Sequence, residues 1–142
     1  LQWTDTEAAY RKMLTEDLQF NGRLYMQVLN TLPPAAAGKK VFNCEWALSP
    51  YVFYTRPDLR FVDILDPALL WVHDPQKYAL RQRLIAGMSR QPADDLRQVF
   101  DADYVFCTKD ALLTQLRADP ANFALVAETR TRPVIALYQI RR

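Results

Sequence analysis

The sequence predicts an α/β domain with a three-layer, Rossmann-like, mostly parallel sheet, and three observations lead there. Short apolar runs of strand length occur at Val41-Phe42-Asn43-Cys44, Leu59 to Ile64 and Tyr104-Val105-Phe106-Cys107. Stretches with helical periodicity separate them, as the crossovers between parallel strands require. The runs Phe123 to Ala127 and Val134 to Ile140 are joined by a polar turn, the pattern of an antiparallel hairpin closing one edge. With 142 residues, 50% of them hydrophobic and 24% charged, the chain has the size and balance of one packed domain over 1–142. Within it we expect a long amphipathic helix over 1–34 and a sheet core with its covering helices over 40–142.

The first helix opens on Thr4 and Glu7, which have capping-box spacing. Ala9, Met13, Leu14, Leu18, Tyr25, Val28, Leu29 and Leu32 follow at helical intervals, and Pro33-Pro34 stops the helix. It is expected to cover the sheet; the alternative is continuation from a membrane span upstream. The start at Leu1, without an initiator Met and directly into this helix, makes a further upstream segment expected. After the first strand, a short helix is expected over Ala47 to Tyr54, with Pro50 near its start and Pro57 beyond its end. Asp66-Pro67 ends the second strand. Asp74-Pro75 opens a helix with Tyr78, Leu80, Leu84, Ile85 and Met88 as its apolar members. Pro92 opens another, with Asp94 and Asp95 favouring the dipole of its first turn. Thr108 is placed to cap the helix of Leu112, Leu113 and Leu116, which ends before Asp119-Pro120.

Several function classes find no support. The net charge is +2 and the cations are interspersed with acids, so nucleic acid is not an expected partner. Arg130, Arg132, Arg141 and Arg142 form the one local basic bias, read as solvated surface with an anionic-lipid contact as the alternative. No glycine-rich turn follows the first strand, no phosphate-cradling loop occurs, and no serine has the flanking glycines of a hydrolase. His73 is the only histidine and reads as a surface or capping residue; with two cysteines far apart, no zinc spacing arises. No catalytic residue, metal or cofactor is assigned, and no apolar stretch reaches the roughly 20 residues that span a bilayer.

In open α/β sheets ligands sit beyond the C-terminal ends of the strands. The residues there make Glu45, Trp46, Asp63, Asp66 and Lys109 the substrate-binding candidates. Their carboxylates could hold a hard cation or do acid-base work, with ordinary turn and capping chemistry as the alternative. Cys44 and Cys107 end two strands; adjacent strands would bring them within disulfide range, and the alternative is two buried thiols. A bridge would indicate an oxidising compartment. The aromatic segment Trp46, Tyr51, Phe53 and Tyr54 is expected to pack as core, with a sugar- or lipid-lined groove as the alternative.

The order Val41-Phe42, Glu45-Trp46, Pro50, Tyr54, Leu65-Asp66-Pro67, Ala102-Asp103-Tyr104-Val105, Asp119-Pro120, Phe123, Leu125-Val126 and Val134 to Tyr138 resembles a known domain type. It is similar to the C-terminal extracytoplasmic domain of multi-pass membrane glycosyltransferases of the protein mannosyltransferase type, with GT-C architecture. Similar proteins often carry an acidic residue or glycine after the tryptophan and a glycine before Leu-Asp-Pro, where this chain has Ala47 and Ile64. The resemblance implies a place on the periplasmic or external side, against the transmembrane part of the same parent chain. It implies an accessory role in positioning a lipid-linked sugar or an acceptor, because the family's catalytic acids lie in membrane-embedded segments outside this chain. The alternative from the residues is a stand-alone protein-interaction or small-ligand module using the first helix as its contact surface. A small independent enzyme built on Glu45, Asp63, Asp66 and Lys109 is the third reading.

Overall fold

A computed structural model describes residues 22–46, 49–62, 67–130 and 132–142. Alternation along the strands decides how the layers form, since successive side chains point to opposite faces. In β1 (Lys40–Asn43) and β3 (Tyr104–Cys107), Phe42, Val105 and Cys107 enter one buried cluster. Val41, Tyr104 and Phe106 enter a second cluster on the other face. Both faces are covered, which explains why these runs are apolar throughout instead of alternating with polar residues.

The first face is closed by α4 (Pro75–Ile85), α5 (Pro92–Asp94) with its continuation to Val99, and α6 (Asp110–Ala118). They contribute Leu84, Leu96, Leu112, Leu113 and Leu116. The second face is closed by α1, whose described part spans 22–29, and by α2 (Ser49–Thr55). These contribute Tyr25, Val28, Leu29 and Val52. The remaining strands are β2 (Arg60–Phe61), β4 (Phe123–Glu128) and β5 (Ala136–Ile140). The five run in the order β2-β1-β3-β5-β4. β1 pairs in parallel with both β2 and β3, through Lys40 with Arg60 and Val41 with Tyr104. β5 is antiparallel to β3 and β4, and β4 bulges between Leu125 and Ala127. The expected α/β class holds, but the sheet is evenly mixed instead of mostly parallel, because β5 inserts between β3 and β4 and pairs antiparallel with both.

The capping box and first turns of the expected long helix lie outside the described residues, as do Asp63 to Asp66. Three further expectations are corrected. The second strand is shorter than Leu59 to Ile64: its regular pairing covers Arg60–Phe61, with Val62 N still donating to Val41 O at 3.0 Å. A helix not expected, α3 (Pro67–His73), precedes α4. Its run Ala68-Leu69-Leu70-Trp71-Val72 has no polar face, so it carries no amphipathic period to detect. Asp74 separates α3 from α4 and caps the latter, its Oδ1 accepting from Lys77 N at 2.9 Å. Third, Met88 is 70% exposed, because α4 stops at Ile85 and the chain turns at Gly87. Gly87 has φ of +68°, and a Cβ there would lie 2.8 Å from Ala111 O of α6. Among the described residues no helix is long and apolar enough to cross a membrane.

Candidate functional site

From β1 the chain leaves through α2 on one face, and from β3 it leaves through α6 on the other. The two loops therefore diverge between neighbouring parallel strands, the arrangement that opens a ligand crevice in such sheets. At this point Asn43 lies opposite Phe106, which sets the next residues side by side. Cys44 and Cys107 form a disulfide with an S–S distance of 2.04 Å and a Cα separation of 5.0 Å. Both are buried.

Just beyond the bridge stand Glu45, Thr108 and Lys109. Lys109 Nζ lies 2.7 Å from Glu45 Oε1, and the Thr108 hydroxyl donates to the same oxygen at 2.9 Å. Thr108 is thus not the cap expected for α6: Lys109 occupies that position and makes no side-chain cap bond. The free energy of the hydroxyl is better spent on a partly buried carboxylate than on an amide that water can reach. Burial pushes the Glu45 carboxyl upward, but the bonds from Lys109 and Thr108 and the Lys109 charge outweigh it and leave the group below its ordinary value. Tyr25 of α1 packs beneath; burial, with the Glu45 charge adding to it, raises its phenol to about 12. Tyr25, Glu45, Phe106 and Thr108 close on one another too tightly to admit a water molecule. A ligand at this rim therefore meets Glu45 and Lys109 from outside.

Trp46 directly follows Glu45 and is 46% exposed. The expectation that its segment packs as core is corrected: Phe53 and Tyr54 are also exposed, at 53% and 82%. The described inward residues of this segment are Ser49, Val52 and Arg56, spaced three and four apart, which turns Phe53 and Tyr54 outward; the Tyr51 side chain lies outside the described residues. Glu45 and Lys109 are brought together at the rim, and Trp46 is the exposed residue that follows Glu45 in the chain; Asp63 and Asp66 lie outside the described residues. His73 ends α3 at the surface.

Arg81 is the residue that sequence reading missed. It is buried, and its Nη2 lies 3.2 Å from Cys44 O and 3.4 Å from Asn43 O, donating to the carbonyls at the end of β1. A signal existed: Arg81 shares the Tyr78-Leu84-Ile85 stripe of α4, where a cation needs buried acceptors. The four arginines expected as one basic region are divided instead. Arg130 and Arg132 precede β5, whereas Arg141 and Arg142 follow it. The five residues of β5 separate them by about 17 Å. At that far end, Lys39, Asp103, Tyr104 and Arg142 line a groove of about 600 Å³. Asp103 is already engaged there by Arg142 at 3.0 Å and by Lys40 N at 3.0 Å.

The rim offers a carboxylate whose Oε1 takes both bonds, a neighbouring ammonium and an exposed indole. Such a set accepts and donates hydrogen bonds at the end of the parallel strands. Among the described residues no group of three or more His, Cys, Asp or Glu is arranged to hold a metal. Comparison with protein-family models, curated proteins and solved structures returns no match.

Proposed function

We propose that this is an extracytoplasmic accessory domain of a membrane-bound glycosyltransferase-like protein, holding a sugar-bearing substrate without carrying out transfer. We read the fold as a small three-layer, Rossmann-like domain with a long first helix, lying against the transmembrane part of the same parent chain. The observation carrying the proposal is the rim itself: the Glu45–Lys109 pair, followed in the chain by the exposed Trp46 and braced by the Cys44–Cys107 bridge. Sugars present hydroxyls at their edges and C–H faces to aromatic rings, which these side chains complement. The buried bridge supports an oxidising compartment. The reading of α1 as a contact surface for a partner has less support, because Tyr25, Val28 and Leu29 are spent on the sheet.

The test is titration of the 142-residue chain with mono- and oligosaccharides, followed by amide chemical shifts. Shifts clustered at Glu45, Trp46 and Lys109, abolished in E45Q and W46A, are expected, with no sugar transfer by the chain alone. Shifts scattered elsewhere, or transfer by the isolated chain, would refute the proposal.

A further inference from the structure

The stretch 67–93, which holds α3, α4 and the turn after it, is chemically unlike the rest of the chain. It contains Lys77, Arg81, Arg83 and Arg90 against a single carboxylate, Asp74. It also holds four of the large apolar side chains left in solvent: Leu69 at 46%, Trp71 at 59%, Val72 at 65% and Met88 at 70% exposure. A helix as apolar as α3 is ordinarily buried on all sides, yet here it faces water.

The cations of this stretch divide by use. Arg81 is committed to the β1 carbonyls, and Lys77 lies 5.5 Å over the Phe100 ring. Arg83 and Arg90 are exposed and make no ion pair among the described residues. Together with Leu80, Met88 and Ser89 they line a groove of about 550 Å³ at the end of α4. Asp95 also lines it, but its carboxylate accepts the Ser89 hydroxyl at 2.5 Å and is held by that bond. Two unpaired guanidinium groups suit phosphate oxygens; Met88 in the same groove and the exposed apolar side chains of α3, which contacts α4, suit the layer just beneath a headgroup.

We infer that the α3–α4 surface docks on an anionic lipid bilayer, with Arg83 and Arg90 at the headgroup phosphates and Leu69, Trp71, Val72 and Met88 at the acyl boundary. The charge of the stretch and its exposed apolar side chains fit that surface together; a neutral bilayer leaves the arginines unused. This docking rests on residues distinct from the sugar-binding rim and does not require that reading.

The experiment is sedimentation of the 142-residue chain with vesicles of phosphatidylcholine alone and of phosphatidylcholine with phosphatidylglycerol. Binding to the anionic vesicles is expected, with a blue shift of tryptophan emission that W71F abolishes. Each cation at such a surface is worth about fivefold in partitioning, so R83Q/R90Q is expected to weaken binding about 30-fold with an unchanged circular dichroism spectrum. L69S/V72S is expected to weaken it about tenfold or more. E45Q should leave vesicle binding intact, which separates failure of docking from failure of the sugar-binding rim. Equal or absent binding to both vesicle types would overturn the inference, as would R83Q/R90Q binding like the parent. Inorganic phosphate shifting Arg83 and Arg90 without vesicle binding would instead assign a soluble phosphate. A dimer that shields Trp71 would assign a second copy.

Discussion

Opening the Cys44–Cys107 bridge should remove a large share of this domain's stability. The bridge closes a sequence separation of 63 residues, and without it the unfolded chain regains the corresponding loop entropy. For a loop of that size the effect is about 4 kcal/mol at 25 °C. Taking a urea slope of about 2 kcal/mol per molar, the unfolding midpoint falls by about 2 M. Both sulfurs are buried, so reductant cannot be relied on to reach them in the folded state. The assay is to unfold and reduce the chain, refold it in reductant, and compare urea curves with the oxidised protein by far-ultraviolet dichroism. Reduction leaves every other side chain in place, so the comparison isolates the cross-link. A loss under about 1 kcal/mol with an unchanged slope would refute the reasoning, because the cross-link would then constrain a loop that the unfolded state already closes.

Three further outcomes follow from residues already described. Glu45 ionises below its ordinary value in the folded chain, so its contribution is present above the unfolded value of about 4.3 and is lost as pH falls through the folded one. Urea midpoints between pH 6 and pH 3 should show this acid-side fall and E45Q should reduce it; an identical fall in E45Q would count against the pairing. Tyr25 titrates at about 12, so the folded chain keeps a proton that the unfolded chain releases near 10, and stability drops as pH rises through that window. Burial raises the Tyr138 phenol as well, so absorbance at 295 nm should show a late phase to which both contribute, and Y25F should reduce its amplitude by one tyrosine. G87A should cost at least about 1–2 kcal/mol for its left-handed backbone, with more from the contact to Ala111. G38A shares a positive φ but has open space around its Cβ, so it should cost less; equal urea midpoints for the two variants would show that the approach to α6 is not tight.

What could be read in advance was whatever the backbone period alone fixes. β3 and the hairpin strands announce themselves as short apolar runs bounded by polar residues, α6 because its leucines match a period of 3.6 before Asp119-Pro120, and α2 because Pro50 and Pro57 frame it. α3 was hidden because five consecutive apolar residues have no period. The aromatic segment misled for a related reason: hydrophobicity says that Phe53 and Tyr54 favour burial, but the helical phase set by Val52 and Arg56 decides which side they occupy. At the rim, strand ends located Glu45 and Lys109, since position along a strand is local information. The Thr108 bond to Glu45 was not legible, because a hydroxyl next to a helix start has two possible uses and only the parallel pairing of β1 with β3 chooses between them. The contribution of Tyr25 was beyond local reading for the same reason, as α1 lies far from the rim in sequence.

The order of the sheet has a consequence for how the chain is made. β4 precedes β5 in the sequence, but β5 lies between β3 and β4, so β4 touches the sheet only through the strand that follows it. During synthesis from the N-terminus, β4 emerges without a neighbour, and the slot along β3 stays open until Ala136–Ile140 arrive. Ile135 and Leu137 then complete one core while Ala136, Tyr138 and Ile140 complete the other. A single late segment thus seals both faces at once, and a nascent chain stalled before it would leave the edge of β3 and two incomplete cores open to chaperones, proteases or a neighbouring copy.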